Sequence, residues 1–260
     1  VEKQKDNVVS SIRYASRIQQ ALLTDEQQLK NILPNSFLLQ KPKDIVSGDF
    51  CYAERIKIKG KDLSIIILAD CTGHGVPGAF MSLLCYNYLN QIIKINQHYN
   101  PVYVLATLNK MIYNNFHRKQ ADTKISDGMD ISYLLIDNQT QNCEFAGAHN
   151  PLYLYRNNEL ITFCGDRISI GGKSNILRKI NKHCFHLEPN DSIFLFTDGY
   201  VDQSGGPNHD KFKYRRFREL LLKIHNQEVD VQKKELELTI DEWKGNKDQI
   251  DDITLIGFRV

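Results

Sequence analysis

The chain has 260 residues, of which 42% are hydrophobic and 25% are charged. These are ordinary values for a globular protein, and they exclude a disordered or fibrous chain. The 33 basic and 31 acidic residues leave a net charge of +2, which predicts no nucleic-acid partner.

Neither a membrane span nor a disulfide framework is indicated. The longest apolar run, Ile65–Ala69, is far shorter than the roughly 20 residues that cross a bilayer. The six cysteines are scattered without a Cys-x-x-Cys pair, which predicts reduced thiols in a cytoplasmic protein. The chain does not begin with Met, which is typical of a piece of a longer protein.

The first predicted element is one amphipathic helix over 4–32, because apolar residues recur at helical spacing and the first Pro is Pro34. Its apolar stripe contains Val8, Ile12, Ala15 and Leu22. We interpret 1–35 as a helical linker or regulatory segment and 36–260 as the catalytic domain. An isolated amphipathic helix needs a partner, so it either packs on its own domain or pairs with a second copy in a homodimer.

The rest of the chain alternates between strand and helix patterns. Helices are predicted over 76–97, 101–117, 211–225 and 229–243. Strands are predicted over 37–40, 50–59, 63–70, 131–136, 143–147, 152–155, 160–163, 192–197 and 253–260. Short turns such as Lys59-Gly60-Lys61-Asp62 join several strand pairs, which favours antiparallel sheets and an α+β fold over βαβ winding.

Several predicted strands begin or end at an aspartate. Asp70 and Asp198 each end an apolar run, while Asp49 and the pair Asp251 and Asp252 stand where strands begin. Because the end of one antiparallel strand lies beside the start of its neighbour, these carboxylates can meet at one edge. Together they would repel one another unless cations neutralised them, and oxygen ligands favour Mg²⁺ or Mn²⁺. Any one of them alone could instead cap a turn.

A glycine-rich segment, 70–79, leaves one of these strands and enters a helix. Its sequence, Asp-Cys-Thr-Gly-His-Gly-Val-Pro-Gly-Ala, allows the backbone to approach an ion, a water or a phosphate closely. It forms neither a Walker loop nor a G-x-G-x-x-G motif, so nucleotide binding is disfavoured.

Five motifs follow one another in a fixed order. They are Ser47–Phe50, Ala69–Ala79, Ala146–Pro151, Phe196–Gly199 and Asp251–Thr254. Together they resemble the PPM-type, metal-dependent protein serine/threonine phosphatases of the bacterial SpoIIE/RsbU-like branch, over about 45–260. The resemblance implies a four-layer α-β-β-α sandwich of two antiparallel sheets flanked by helices. It also implies a linker helix before the domain and a sensor domain upstream, through which the full-length protein could be tethered to a membrane.

The resemblance further implies a centre of two Mn²⁺ or Mg²⁺ ions, at which an activated water attacks phosphorus directly. Asp70 would bridge the ions, the Cys71 carbonyl would bind one, and the other ligands would act directly or through water. The implied ligands are Asp49, Asp70, Cys71 through its carbonyl, Asp198 and Asp251. Asp70 and Asp198 are the implied catalytic carboxylates, and Asp252 is the alternative to Asp251.

Residues near the motifs each have two interpretations. Asp127 and Asp130 could bind a third ion or belong to a plain turn. His74 could protonate the leaving oxygen or only shape its loop, since related eukaryotic enzymes carry that histidine where this chain has Thr72. His149 and Asn150 of the third motif are expected to hold a turn rather than to bind a ligand. Candidates to hold the substrate phosphate are Lys43, Arg167 and Lys173.

The sequence thus predicts a phosphatase whose substrate is a phosphorylated signalling protein, for which the resemblance offers an anti-sigma-factor antagonist. One alternative is an inactive module that keeps the fold and signals by protein contact. Retention of the four core aspartates favours the enzyme. Another alternative, a Mg²⁺-dependent phosphodiesterase or nuclease, is disfavoured by the balanced charge and by the ordered motifs.

Overall fold

The computed structural model of the chain describes residues 2–116, 128–171 and 180–260. In these ranges the strands form two five-stranded antiparallel sheets and one two-stranded hairpin. The strands are β1 (Ser36–Lys41), β2 (Asp49–Ile58), β3 (Lys61–Cys71), β4 (Met129–Asp137), β5 (Asn142–Ala148), β6 (Leu152–Arg156), β7 (Glu159–Phe163), β8 (His183–His186), β9 (Ser192–Phe196), β10 (Ser204–Gly205), β11 (Asp210–Lys211) and β12 (Ile253–Arg259). One sheet has the order β1-β12-β9-β6-β7 and the other has the order β2-β3-β4-β5-β8.

The helices lie before, between and after these strands. They are α1 (Glu2–Leu22), α2 (Glu26–Ile32), α3 (Gly75–Asn90) with a π-helical turn at Gln91–Ile95, α4 (Pro101–Phe116), α5 (Gly199–Asp202), α6 (Lys213–Ile224) and α7 (Val229–Lys244). Among the described residues, no helix has both the length and the apolar character needed to cross a membrane.

Three apolar layers hold the sandwich together. Successive residues of β3 point to opposite faces, so Ile66 joins Leu195 in the layer between the two sheets while Ile67 joins Leu105 in the layer under α3 and α4. A third layer lies between the other sheet and α6 and α7. The continuous apolar run of β3 is explained by this burial on both faces. The predicted α-β-β-α sandwich is confirmed.

The single helix predicted over 4–32 is wrong, since the structure contains two helices separated at Leu23–Asp25. Asp25 caps α2: its side chain accepts a hydrogen bond from the Gln28 backbone N–H, and the Gln28 side chain accepts one from the Asp25 N–H. Thr24 is buried, and its hydroxyl accepts a hydrogen bond from the backbone N–H of Ala53 in β2. The capping box at Asp25 and the contact of Thr24 with β2 therefore interrupt the helix, although the apolar residues continue at helical spacing.

Several short elements were not predicted. The strand β8 pairs with β5, and the β10–β11 hairpin follows α5. Both are too short and too polar to give an apolar pattern. The helix predicted over 76–97 ends as α-helix at Asn90 and continues as the π-helical turn.

Candidate metal centre

Three aspartates stand side by side at one end of the second sheet. The register places Asp49 of β2 opposite Asp70 of β3, and Asp70 opposite Asp130 of β4. Residues directly opposite on neighbouring strands carry their side chains on the same face, with Cβ atoms about 5 Å apart. The strands therefore create a row of three carboxyl groups with Asp70 in the middle.

The first sheet adds carboxyl groups to the same end of the sandwich. Asp198 lies between β9 and α5, and Asp251 and Asp252 precede β12, which pairs with β9. Gly199 packs so closely on the Asp252 backbone that a Cβ atom at position 199 would collide with the Asp252 carbonyl oxygen. A glycine after Asp198 is thus needed for the two strand ends to meet.

Most of these groups open onto a pocket of about 350 Å³. It is lined by Asp70, Cys71, Thr72, Gly73, His74, Asp130, Ser169, Asp198 and Asp251. Asp49 lies behind this lining and is only 2% exposed. The Thr197 hydroxyl donates a hydrogen bond of 2.8 Å to Asp49 Oδ2 and so joins the two sheets directly behind the pocket.

The glycine-rich loop reaches the pocket through close backbone packing. Gly78 packs against the Gly73 carbonyl with no room for a Cβ atom, and a Cβ atom on Gly48 would lie 2.7 Å from the same oxygen. Gly73 itself has a φ of +91°, which favours glycine. Cys71 lines the pocket although its side chain belongs to the apolar layer under α3, so its backbone carbonyl is the group that it can offer to a ligand.

Burial and the charges of neighbouring carboxyl groups raise the pKa values in the cluster. Burial raises the pKa of Asp70 to about 8, and the charges of Asp198, Asp251 and Asp130 add to the shift. Burial also raises the pKa of Asp198 to about 6, with Asp202 as the next cause. The pKa of Asp49 is raised well above its usual range by complete burial and by the charge of Asp70.

Such a cluster fits divalent cations. Its donors are all oxygen atoms, and a cation would remove the repulsion that raises the pKa values. Within the ranges that the structure describes, no three His, Cys, Asp or Glu side chains form a ready-made metal site by themselves. An ion in the pocket would therefore complete its coordination with water or loop carbonyls.

The raised pKa of Asp70 gives the metal-free protein a pH-dependent stability. Because the folded-state pKa of Asp70, about 8, is above the ordinary 3.8, its contribution to stability is complete below about pH 4 and is lost as the pH rises through about 8. Between pH 5 and pH 8 the melting temperature of the metal-free protein should fall more steeply than that of Asp70→Asn, which has no proton to lose there. Calorimetry in EDTA measures both slopes, and Mn²⁺ should reverse the fall in the unchanged protein. Equal slopes would contradict the role of Asp70.

Asp251 and Asp252 differ in what they contact. The Asp252 carboxyl is buried and accepts hydrogen bonds from the backbone N–H groups of Lys43, at 2.8 Å, and Gly48, at 2.7 Å. It therefore fastens the loop before β2 to the start of β12. Asp251 is half-buried, lines the pocket and accepts one hydrogen bond from the Asp252 N–H. This arrangement favours Asp251 as the ligand and gives Asp252 a structural role.

Two substitutions separate these roles. Asp252→Ala leaves two backbone N–H groups without an acceptor and should lower the free energy of unfolding by about 3 kcal/mol. Asp251→Asn keeps its hydrogen bond and relieves repulsion, so it should change this free energy by less than about 1 kcal/mol. Urea unfolding of the metal-free proteins measures both values. Equal destabilisation by the two substitutions would exclude this division of roles.

Of the remaining candidates, His74 and Asp130 belong to the pocket lining. His74 is half-exposed in the lining, with its Nδ1 2.9 Å from Asp44 Oδ2. Asp130 accepts a hydrogen bond of 2.8 Å from the Ser169 hydroxyl, which places it in the pocket wall. Asp127 lies outside the described residues. Its neighbour Gly128 is held by Thr72, whose hydroxyl donates to the Gly128 carbonyl oxygen at 2.8 Å.

The other candidates were considered for phosphate binding or turn formation. Lys43 and Arg167 are not in the pocket lining, and Lys173 lies outside the described residues. His149 has a left-handed backbone with a φ of +57°, and its N–H donates to the Asp166 carbonyl oxygen. His149 and the buried Asn150 thus lie in the bend between β5 and β6.

Sequence reasoning missed Thr197 and Ser169, whose hydroxyls orient carboxyl groups of the cluster. Thr197 had a signal, because it stands between the apolar run Ile193–Phe196 and Asp198. Ser169 had none, because only the tertiary fold brings its loop to Asp130.

Known proteins share the sequence pattern and the fold of this chain. A sequence model of the family described as Stage II sporulation protein E (SpoIIE) matches residues 60–260. The SiaA-PP2C domain of Pseudomonas aeruginosa has a TM-score of 0.87 and 29% identity, with 100% of both chains covered. No curated protein sequence matches the chain.

More distant solved structures share the fold. The PP2C phosphatase domain with a fragment of the regulatory domain of SpoIIE from Bacillus subtilis has a TM-score of 0.67 and 17% identity, with 86% of this chain and 62% of that chain covered. RsbX in complex with magnesium has a TM-score of 0.57 and 16% identity, with 86% of this chain and 94% of that chain covered.

Proposed function

The chain belongs to the SpoIIE family of metal-dependent serine/threonine phosphatases, which are hydrolases, and we propose that it removes phosphate from phosphoserine or phosphothreonine on a signalling protein. The observation that carries this proposal is the oxygen-lined pocket. Asp70, Asp130, Asp198 and Asp251 line it, and burial together with the charges of the other three raises the pKa of Asp70 to about 8. Carboxylates in this arrangement are suited to holding cations rather than to binding an anionic substrate unaided.

The proposed ligands are those that the motifs predict. Asp70, Asp198 and Asp251 would hold two Mn²⁺ or Mg²⁺ ions together with the Cys71 carbonyl. Asp49, which is opposite Asp70 in the register, would bind an ion directly or through water. The magnesium complex of RsbX supports the choice of a hard divalent ion. Asp130 is a candidate for a third ion, since it shares the pocket wall with Ser169.

The chain's own residues hold and orient the groups around the reacting phosphate. Bound ions supply positive charge to the phosphoryl oxygens and lower the pKa of a water molecule. The β-ladder fixes Asp70 between its neighbours, and the Thr197 hydroxyl fixes the direction of the Asp49 carboxyl. His74, held by Asp44 at the mouth of the pocket, is a candidate to protonate the leaving oxygen.

The experiment that tests the proposal is a comparison of phosphate esters. With Mn²⁺ the chain should hydrolyse p-nitrophenyl phosphate and phosphoserine peptides but leave bis-p-nitrophenyl phosphate nearly intact. Preference for the diester would point to a phosphodiesterase. Absence of turnover on all three, with metal bound, would favour the inactive binding module.

Regulation is proposed to act through the N-terminal segment, 1–35. Gln19 of α1 is buried, and its side-chain Nε2 donates hydrogen bonds to the Ser47 carbonyl at 2.6 Å and to the Ser82 hydroxyl at 2.8 Å. Its Oε1 accepts a hydrogen bond from the Ser47 N–H. Because Ser47 lies two residues before Asp49, movement of α1 would be transmitted to the carboxyl cluster.

A second copy of the chain is the proposed partner of α1. Val8 is 59% exposed, Leu22 is 56% exposed and Ile18 is 40% exposed, whereas Ile12 is half-buried. Ile18 follows Val8 by ten residues and Leu22 follows Ile18 by four. These spacings fit the a and d positions of a heptad pattern, so the three side chains can face one partner helix. We propose that an upstream sensor domain changes the position of this helix. The proposed kind of substrate is a phosphorylated anti-sigma-factor antagonist. The six free cysteines fit the predicted cytoplasmic location.

Val8→Asp should lower the dimer fraction and, with it, the activity. The side chain is too exposed to contribute much to the stability of one copy, so the effect should come from association alone. Sedimentation velocity measured with turnover over a range of concentrations tests this. Asn7→Asp, which adds the same charge at the neighbouring exposed position, should change neither quantity. A monomeric unchanged protein at high concentration would contradict the dimer.

A further inference from the structure

Positive charge is concentrated in one segment of this nearly neutral chain. Residues 211–218 have the sequence Lys-Phe-Lys-Tyr-Arg-Arg-Phe-Arg. Five of these eight residues are basic, while the net charge of the whole chain is only +2. The segment starts in β11 and continues into α6, whose first turn contains no acidic residue.

The segment packs against the elements that carry Asp198. The Lys211 ammonium group lies 2.7 Å from Asp202 Oδ2 in α5, and the Tyr214 ring centroid lies 6.3 Å from that of Phe196, at the end of β9. After burial, the charge of Asp198 is the next cause that raises the pKa of Tyr214. Tyr214 is 42% exposed, so it lies beside the carboxyl cluster and still faces solvent.

The cations of the segment divide into fixed and exposed groups. Arg216 lies over the Trp243 ring at 4.6 Å, and Arg218 donates a hydrogen bond of 3.0 Å to the Tyr153 hydroxyl. Lys213 is exposed, and the Arg215 side chain is 82% exposed. The only ion pair found for Arg215 in the described ranges is a 3.8 Å contact with the exposed Glu219 in the next turn, and such pairs contribute little. The exposed cations are therefore available to another molecule.

We propose that Lys213, Tyr214 and Arg215 form a docking surface for acidic residues that flank the phosphorylated side chain of a protein substrate. This rests on the proposed phosphatase function. The described lining of the pocket contains no lysine or arginine that could pair with acidic residues beside the phosphate, and a cationic surface next to it supplies the complementary charge. Its position next to Asp198 favours a substrate over a lipid surface, because a substrate must reach both places at once.

The test compares two pairs of cations. Lys213→Gln with Arg215→Gln removes two charges from the surface, and Lys223→Gln with Lys234→Gln removes two exposed charges elsewhere on α6 and α7. The substrates are two phosphoserine peptides of equal length, one with four acidic flanking residues and one with glutamines in their place. Turnover of p-nitrophenyl phosphate with Mn²⁺ reports the pocket alone.

The unchanged protein should prefer the acidic peptide. The first double variant should lose about tenfold in kcat/KM on that peptide, mainly through KM, and about 0.5 M KCl should remove the difference between proteins. The second double variant should behave as the unchanged protein does, and all three should hydrolyse p-nitrophenyl phosphate equally.

Three results would overturn the docking surface. The first is that the unchanged protein does not prefer the acidic peptide. The second is that the second double variant loses as much kcat/KM on that peptide as the first. The third is that the first double variant loses binding to phosphatidylserine vesicles while its peptide kinetics stay unchanged. Failure of the unchanged protein to hydrolyse p-nitrophenyl phosphate would instead contradict the phosphatase function, so the two failures are distinguishable.

Discussion

Asp70→Asn should lower kcat/KM on a phosphoserine peptide by about a thousandfold or more, which corresponds to about 4 kcal/mol of transition-state stabilisation. The substitution nearly keeps the size of the side chain and removes its charge. Asp70 stands between Asp49 and Asp130 in the register, and the charges of Asp198 and Asp251 act on it from the other sheet. No other carboxyl group of the cluster has such a central position, so Mn²⁺ affinity should fall together with turnover.

The same strand provides a matched control. Asp62 lies near the other end of β3, where it forms an ion pair with Arg55 at 2.7 Å. Asp62→Asn makes the same chemical change far from the pocket and should leave turnover within about twofold. Asp198→Asn should follow Asp70→Asn in direction, since Asp198 lines the pocket and its pKa is raised to about 6. Turnover of Asp70→Asn equal to that of Asp62→Asn would contradict the proposed role of the cluster.

Removal of divalent ions should abolish activity, and alkylation of thiols should not. EDTA should reduce turnover to background, and Mn²⁺ or Mg²⁺ should restore it, because the carboxyl groups that line the pocket offer oxygen donors. Iodoacetamide should react with the exposed Cys164 and Cys184, neither of which lines the pocket. The pKa of the buried Cys71 thiol is raised well above its usual value by its contact with Cys85 and by burial, so it carries no thiolate to react. Complete inactivation by iodoacetamide with metal dispensable would identify a cysteine phosphatase instead.

The position of the carboxyl cluster could be predicted because it follows from local pattern. Asp70 follows the apolar run of β3, which is buried on both faces, and Asp198 follows the apolar run of β9 two residues after the strand ends. Strand ends are read from the periodicity of apolar residues, and antiparallel pairing brings ends and starts together. The sequence therefore indicated one acidic site without any knowledge of which strands are neighbours.

Choices between adjacent residues could not be predicted in the same way. Asp251 and Asp252 stand in one loop, and only the contacts of Asp252 with the loop before β2 separate their roles. The place of Asp130 opposite Asp70 depends on the β3–β4 register, which joins residues 60 positions apart. The break between α1 and α2 had a local signal in Asp25 and Gln28, but the apolar spacing that continues to Leu29 concealed it.

The most direct test is a titration of metal-free protein with Mn²⁺ in which bound ion and phosphate release are measured in the same sample. Electron paramagnetic resonance of the free ion gives the bound number, and a phosphoserine peptide gives the rate. We expect about two ions to bind in the unchanged protein, with phosphate release rising as the second one binds and with both signals lost in Asp70→Asn. Full phosphate release before any Mn²⁺ is bound would contradict a metal-dependent phosphatase centred on Asp70.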